Sequence, residues 1–408
     1  MSSYPGDRTS VAIRDGANLD AFSRLRISSN HILFGSSFKY DLLPWVYEQS
    51  VTGGAAITHL PNEAAAQMIV AGAADAAILQ SYKHIPYRPG QSQMCFFTFT
   101  LGAGSAGVIK RIGLFDPQNG LFLEQNGLTL NVVRRTYATG VAVDNPVAQA
   151  AWNIDVMDGT GPSGITLDVT KSQILVIDFQ WLGMGRVRFG FDIDGVLHYV
   201  HEMRHANVLD TVYMSRGTLP VRAEITSAGN PEDMKYVCAS VVREGGEEEP
   251  LYIGSTSTAD VSAAGQNLTT TMQTMISIRL RNDFIHSTLA AVGIHILNTG
   301  NSNLYWELAL VRGFTGASLN PWSNTGTATS VSTTVSNLSP ATGGVVLDSG
   351  ILMNGTANDR TSYSKTIRES ILSAYNKMDG TPDILVLRAK ALTTTTTGHF
   401  IMHFAELY

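Results

Sequence analysis

Apolar runs of strand length, separated by turn-forming residues, dominate the chain from Val108 to Met203. Asp116-Pro117-Gln118-Asn119-Gly120 divides Val108–Phe115 from Leu121–Gln125, and Asn126-Gly127 reverses the chain into Leu128–Arg135. Gly183-Met184-Gly185 divides Ile174–Trp181 from Arg186–Ile193, and Asp194-Gly195 leads back into Val196–Met203. Asn-Gly and Asp-Gly between alternating runs predict type I′ hairpins, because both central residues of that turn need positive φ. The block therefore predicts a rigid antiparallel architecture.

The same reading extends along the chain. Residues 1–40 lack sustained periodicity and predict an extended N-terminal arm, free to lie on a neighbour. Glu63–Met68 and Ala73–Leu79 are rich in alanine, which favours helix by propensity. The reading adopted is two strands, Ala65–Val70 and Ala76–Tyr82, because Gly72 lies between them and an extended Pro-rich stretch, residues 85–90, follows. Gln93–Leu101 alternates, with Cys95, Phe97 and Phe99 opposing Met94, Phe96, Thr98 and Thr100. Asp144–Gly164 predicts a long contact loop carrying Trp152.

The charge run, double glycine and proline at residues 245–250 predict a linker. It divides a first β domain, 41–244, from a second, 251–408. The second is rich in Ser, Thr and Gly, with strands at Met275–Leu280, Ala290–Leu297, Tyr305–Val311, Ile384–Ala389 and Phe400–Phe404. Its one predicted helix is Lys365–Met378, with Ile367, Ile371, Leu372, Tyr375 and Met378 on one face. The fold expectation is all-β: two antiparallel sandwich or jelly-roll-like domains, an arm, and at most one or two short helices.

Composition changes this picture in one respect. Charged residues are 15% of the chain, against roughly 25% in an ordinary soluble domain. A weakly charged surface favours association, so much of it is expected to be covered by partners. The net charge of −6 and the lack of a dense Lys/Arg run argue against nucleic-acid binding. No apolar stretch is long enough to span a membrane, and the polar start has no signal-peptide core. Cys95 and Cys238 are too few for a disulfide framework.

Candidate chemistry is sparse. His201-Glu202-Met203-Arg204-His205 matches the H-E-x-x-H zinc pattern, which needs a helix to place both imidazoles on one face. Here the motif continues a strand, which would hold the rings about 13 Å apart, and the expectation is two surface histidines. Asp192-Ile193-Asp194-Gly195 lacks the later oxygens of a calcium loop. Glu124, Asp178 and Glu202 show no sign of meeting as paired acids. Trp152, Trp181, Tyr199 and Trp306 are candidates for a glycan-binding face, although alternation places Trp181 toward a core. No catalytic, cofactor-binding or metal-ligating residues are assigned.

Several segments resemble a family of tailed-bacteriophage virion structural proteins. They include Asp20-Ala21-Phe22-Ser23-Arg24-Leu25-Arg26-Ile27-Ser28, Ile57-Thr58-His59-Leu60-Pro61-Asn62-Glu63 and Arg111-Ile112-Gly113-Leu114-Phe115-Asp116. The most specific is Trp181-Leu182-Gly183-Met184-Gly185-Arg186-Val187-Arg188-Phe189-Gly190. The resemblance covers roughly residues 20–205 and implies a β-rich particle component. The expectation is a non-enzymatic structural protein of the virion, tail-associated and present in many copies, with no cofactor. A capsid decoration protein and a host-surface glycan-binding module are the alternatives. Its partners would be other copies of itself and other virion proteins, with Phe22, Arg24, Leu25, Arg26 and Trp152 as contact residues.

Overall fold

The computed structural model describes residues 19–21, 24–26, 30–245, 252–258, 264–281, 284, 286–312, 323–325, 329–332, 344–355, 357–360 and 373–407. Among these the chain is all-β, with antiparallel pairing throughout and a 3₁₀ turn at Gln149–Ala151. No helix of the described residues is long and apolar enough to cross a membrane.

The first domain has fifteen strands: β1 Asn30–Ser37, β2 Tyr47–Thr52, β3 Ala56–Leu60, β4 Ala65–Val70, β5 Ala73–Ile85, β6 Gln93–Thr100, β7 Val108–Phe115, β8 Gly120–Asn126, β9 Thr129–Thr136, β10 Val143–Ala148, β11 Gln173–Phe179, β12 Val187–Ile193, β13 Val196–Met203, β14 Leu219–Ala228 and β15 Glu232–Glu244. One sheet runs β13-β12-β11-β6-β15-β4-β3, with β1 also on β15; the other runs β10-β9-β8-β7-β14-β5-β2. The chain crosses repeatedly between them, as in a jelly-roll-like sandwich. Inward side chains of both sheets, among them Phe97, Phe99, Ile112, Leu123, Ile177, Phe189 and Val221, form one buried core.

In the second domain one sheet runs Tyr252–Ser257, Thr396–Leu407, Thr288–Asn298, Ala357–Arg360. The other runs Ser323–Thr325, Thr329–Ser332, Gln273–Leu280, Ile384–Ala391, Leu304–Val311, Val345–Leu352. Their inner faces pack around Trp306, Leu308, Ile294, Leu387 and Phe404.

The alanine-rich region is β4 and β5. Period-two burial decides it: Ala66, Met68, Val70, Ala77 and Leu79 enter the core. Ala66 lies in register with Tyr236 of β15, where a small residue leaves room for a ring. At Asp194-Gly195 both central residues have positive φ, 54° and 79°, in the predicted I′ arrangement. The other hairpin differs by one residue. Asn126 pairs with Thr129, so the central pair is Gly127-Leu128 and only Gly127 is positive, the II′ pattern.

A Cβ added at Gly195 would meet nothing within 4 Å, so Gly195→Val tests backbone strain without a clash. It is expected to lower first-domain stability by about 1–3 kcal/mol in denaturant unfolding; an unchanged midpoint would contradict the hairpin geometry.

Three sequence expectations shift. The sequence predicts an arm up to residue 40, but Asn30–Ser37 is a strand of the first sheet. The loop drawn at Asp144–Gly164 begins inside edge strand β10 and the 3₁₀ turn. Most of the predicted helix, and the linker after Gly245, lie outside the described residues. The end of that helix segment is not helical: Ser373–Ala374 pairs with Leu289 and Ala290, and Met378 lies in a turn.

The two domains touch through polar contacts. The Arg312 guanidinium sits 3.8 Å from the centre of the Tyr82 ring and donates to the Trp45 carbonyl at 3.0 Å. It also lies 3.5 Å from Asp383, whose carboxyl burial pushes up to about 6 against the pull of that arginine. The Met378 amide donates to Glu48 Oε2 at 2.8 Å.

Candidate functional site

Two stretches within the resemblance, around Asp20 and around Asp178 to Arg188, meet in space. Asp20 closes a tight turn: its Oδ1 accepts the Arg24 amide at 2.8 Å and its amide donates to the Arg24 carbonyl at 2.8 Å. Leu19 and Leu25 bridge across this turn. The turn lies against β11 and β12. Arg188 donates to the Leu19 carbonyl at 2.7 Å and Arg186 to the Ala21 carbonyl at 3.0 Å.

At the centre is the fully buried Asp178 of β11. It stands in register with Arg188 and ion-pairs with it. Arg26 reaches the same carboxylate at 2.8 Å, and the Tyr199 hydroxyl donates to it at 3.0 Å. Arg26 also lies 3.3 Å from Glu244. Burial, and then the neighbouring Asp178 charge, holds the Tyr199 hydroxyl well above its ordinary range. One carboxylate thus organises two guanidiniums and a phenol, and ties an N-terminal turn to the sheet.

The proposed contact residues separate accordingly. Phe22 lies outside the described residues. Arg24 and Arg26 are engaged within the chain; Arg24 pairs with Asp20 and donates to the Gly90 carbonyl at 2.9 Å. Leu25 is 46% exposed. Trp152 is 4% exposed, stacks near Phe191 and donates to the Val147 carbonyl, so it packs in the core and offers no contact surface. Trp306 is likewise buried and contributes to no exposed face, while Trp181 is partly buried against the core with its ring N–H on the Met214 carbonyl.

The H-E-x-x-H histidines are not part of the group of described residues whose ligand atoms converge. His201 Nδ1 accepts the Asn153 amide at 3.2 Å, while His205 Nδ1 meets the Gly185 carbonyl at 2.6 Å. The expectation of surface histidines is corrected: both are buried. His205 stacks on Tyr213, ring centres 4.1 Å apart, and its Nε2 has no hydrogen-bond partner. Burial, helped by the Arg134 charge, pushes His205 down to about 4. Glu124, Asp178 and Glu202 lie on different arginines, Arg111, Arg188 and Arg186.

Sequence reading misses a different group. His84 of β5, Asp116 of the β7–β8 turn and His286 of the second domain bring ligand atoms within 4.8 Å of one another. They line an opening of about 130 Å³ together with Gln80, Arg216 and Lys377. Asp116 is held firmly: Oδ1 accepts the Gln118 and Asn119 amides at 2.7 and 2.8 Å, and Oδ2 pairs with Arg216 at 2.7 Å. Burial alone would raise its pKa, but Arg216 and these amides outweigh it and hold the carboxyl below its ordinary value. The two imidazoles meet edge to face with centres 4.8 Å apart. No local spacing signals this set, because its members come from three distant segments.

No family model and no curated protein matches the sequence. Solved structures share the β architecture at low similarity. A protein of unknown function from Shewanella oneidensis covers 57% of this chain and 94% of its own, at 8% identity and TM-score 0.37. A glycosyl hydrolase family 16 protein from Mycobacterium smegmatis covers 52% and 100%, at 13% identity and TM-score 0.35. A Bacillus licheniformis β-glucanase covers 52% and 98%, at 10% identity and TM-score 0.33. The likeness is one of fold and assigns no activity. Glycosyl hydrolases stand among these similar structures, and the expectation of a non-enzymatic protein is withdrawn.

Proposed function

We propose that the chain is a structural component of a tailed-bacteriophage particle, tail-associated and assembled in multiple copies. The observation that carries this reading is the convergence of two stretches that the resemblance covers. Leu19, Ala21 and Arg26 are tied to Arg188, Arg186 and Asp178, so the resemblance falls on residues that build the scaffold together. The exposed apolar residues on and beside the N-terminal part support association. Leu25 is joined by Ile32 on β1, 64% exposed, and Tyr40, 90% exposed.

The test is incorporation. A Leu25→Asp, Ile32→Asp double variant changes only exposed side chains and should keep the wild-type melting temperature. In particles grown with only this copy, its amount should fall at least tenfold by quantitative mass spectrometry. Wild-type copy number in the variant particles would remove the assembly role of this surface. Immunogold labelling should mark the tail; label on the head would make the chain a decoration protein instead.

A further inference from the structure

We propose that His84, Asp116 and His286 bind one divalent transition-metal ion of the zinc type, joining the two sandwiches. Two imidazoles and one carboxylate are a donor set that first-row ions such as Zn²⁺ accept, whereas Mg²⁺ and Ca²⁺ prefer oxygen. Around one such ion, with bonds of about 2.0–2.2 Å, the donors must draw closer than the present 4.8 Å limit. Ring rotation of His286 supplies that movement: its Nδ1 lies 4.0 Å from Asp116 Oδ2 and has no hydrogen-bond partner.

The supporting shell is already in place. Ligating carboxylates and imidazoles are normally oriented by outer hydrogen bonds. Asp116 Oδ1 is fixed by two backbone amides. Arg216 takes one lone-pair direction of Oδ2 and is itself held by Gln118 Oε1 at 2.9 Å. Its charge lowers affinity for a cation, so micromolar binding is expected. The three donors line the opening, which has room for a water as a further ligand. Because His286 comes from the second domain and the other two ligands from the first, the ion would act as a clasp between them.

The experiment uses the full chain without an oligohistidine tag, stripped by chelator and titrated calorimetrically with ZnCl₂. One Zn²⁺ per chain is expected. His84→Gln and His286→Gln should each weaken binding at least tenfold, while His205→Ala should leave it unchanged. The zinc-dependent rise in melting temperature should vanish in the two ligand variants, with circular dichroism showing that they fold. Absence of zinc uptake, uptake surviving in the His84→Gln, His286→Gln double variant, or loss in His205→Ala would each overturn the site.

Discussion

Replacing Asp178 by alanine is expected to lower first-domain stability by about 3–5 kcal/mol, the usual cost of removing one partner from a buried ion pair. The cost arises from what remains. Arg188 is almost fully buried and would keep its charge without the carboxylate that offsets it, while Arg26, mostly buried, would be left with Glu244 alone. Tyr199 would lose its acceptor as well. Arg188→Met should cost less, because a methionine fills the space without leaving a guanidinium unpaired. Urea unfolding of the two variants checks the order; equal midpoints would mean that Asp178 does not carry the network.

The second large effect is acid sensitivity at His205. Its folded pKa of about 4 lies below the ordinary 6.5, so the unfolded chain binds the proton more readily. Stability from this group is complete above pH 6.5 and is lost as pH falls toward 4. Between pH 7.5 and 5 the loss amounts to about 2 kcal/mol. Asp383 acts in the opposite direction, since its raised pKa of about 6 makes the folded state the better proton acceptor as pH falls below 6. The clean measurement is therefore a comparison. His205→Phe keeps a ring over Tyr213 and should flatten the stability profile of the first domain by that amount. Parallel wild-type and variant profiles would show that His205 does not titrate in this window.

Much of the fold is legible in the sequence because turn chemistry is local. Asp194-Gly195 specifies its hairpin by itself, and the strands around it follow from period-two burial. What escapes is equally physical. β1 is hidden because Ile32, Leu33 and Phe34 run consecutively where the ladder carries a bulge between Ile32 and Phe34. β10 is hidden by Pro146, which only an edge strand tolerates. His201 and His205 look like solvated residues at a strand end; the segments carrying Asn153 and Tyr213 bury them. The Asp178 network and the His84–Asp116–His286 group depend on tertiary approach between distant segments, which no local spacing encodes.

The position of β15 has a consequence for how the protein is made. It is the last strand of the first domain, yet it lies inside its sheet and pairs with β6, β4 and β1. At ~5–20 residues per second, a ribosome needs about 10–40 s to pass from Asn30 to Glu244. Throughout that interval β1, β4 and β6 have no partner on the side that β15 will occupy. The nascent chain thus displays unpaired, apolar strand edges at the stage when other copies are being translated nearby. Chaperone occupancy should peak just before residue 244 emerges. Cold, which slows elongation, should favour misassembled aggregates over soluble chain.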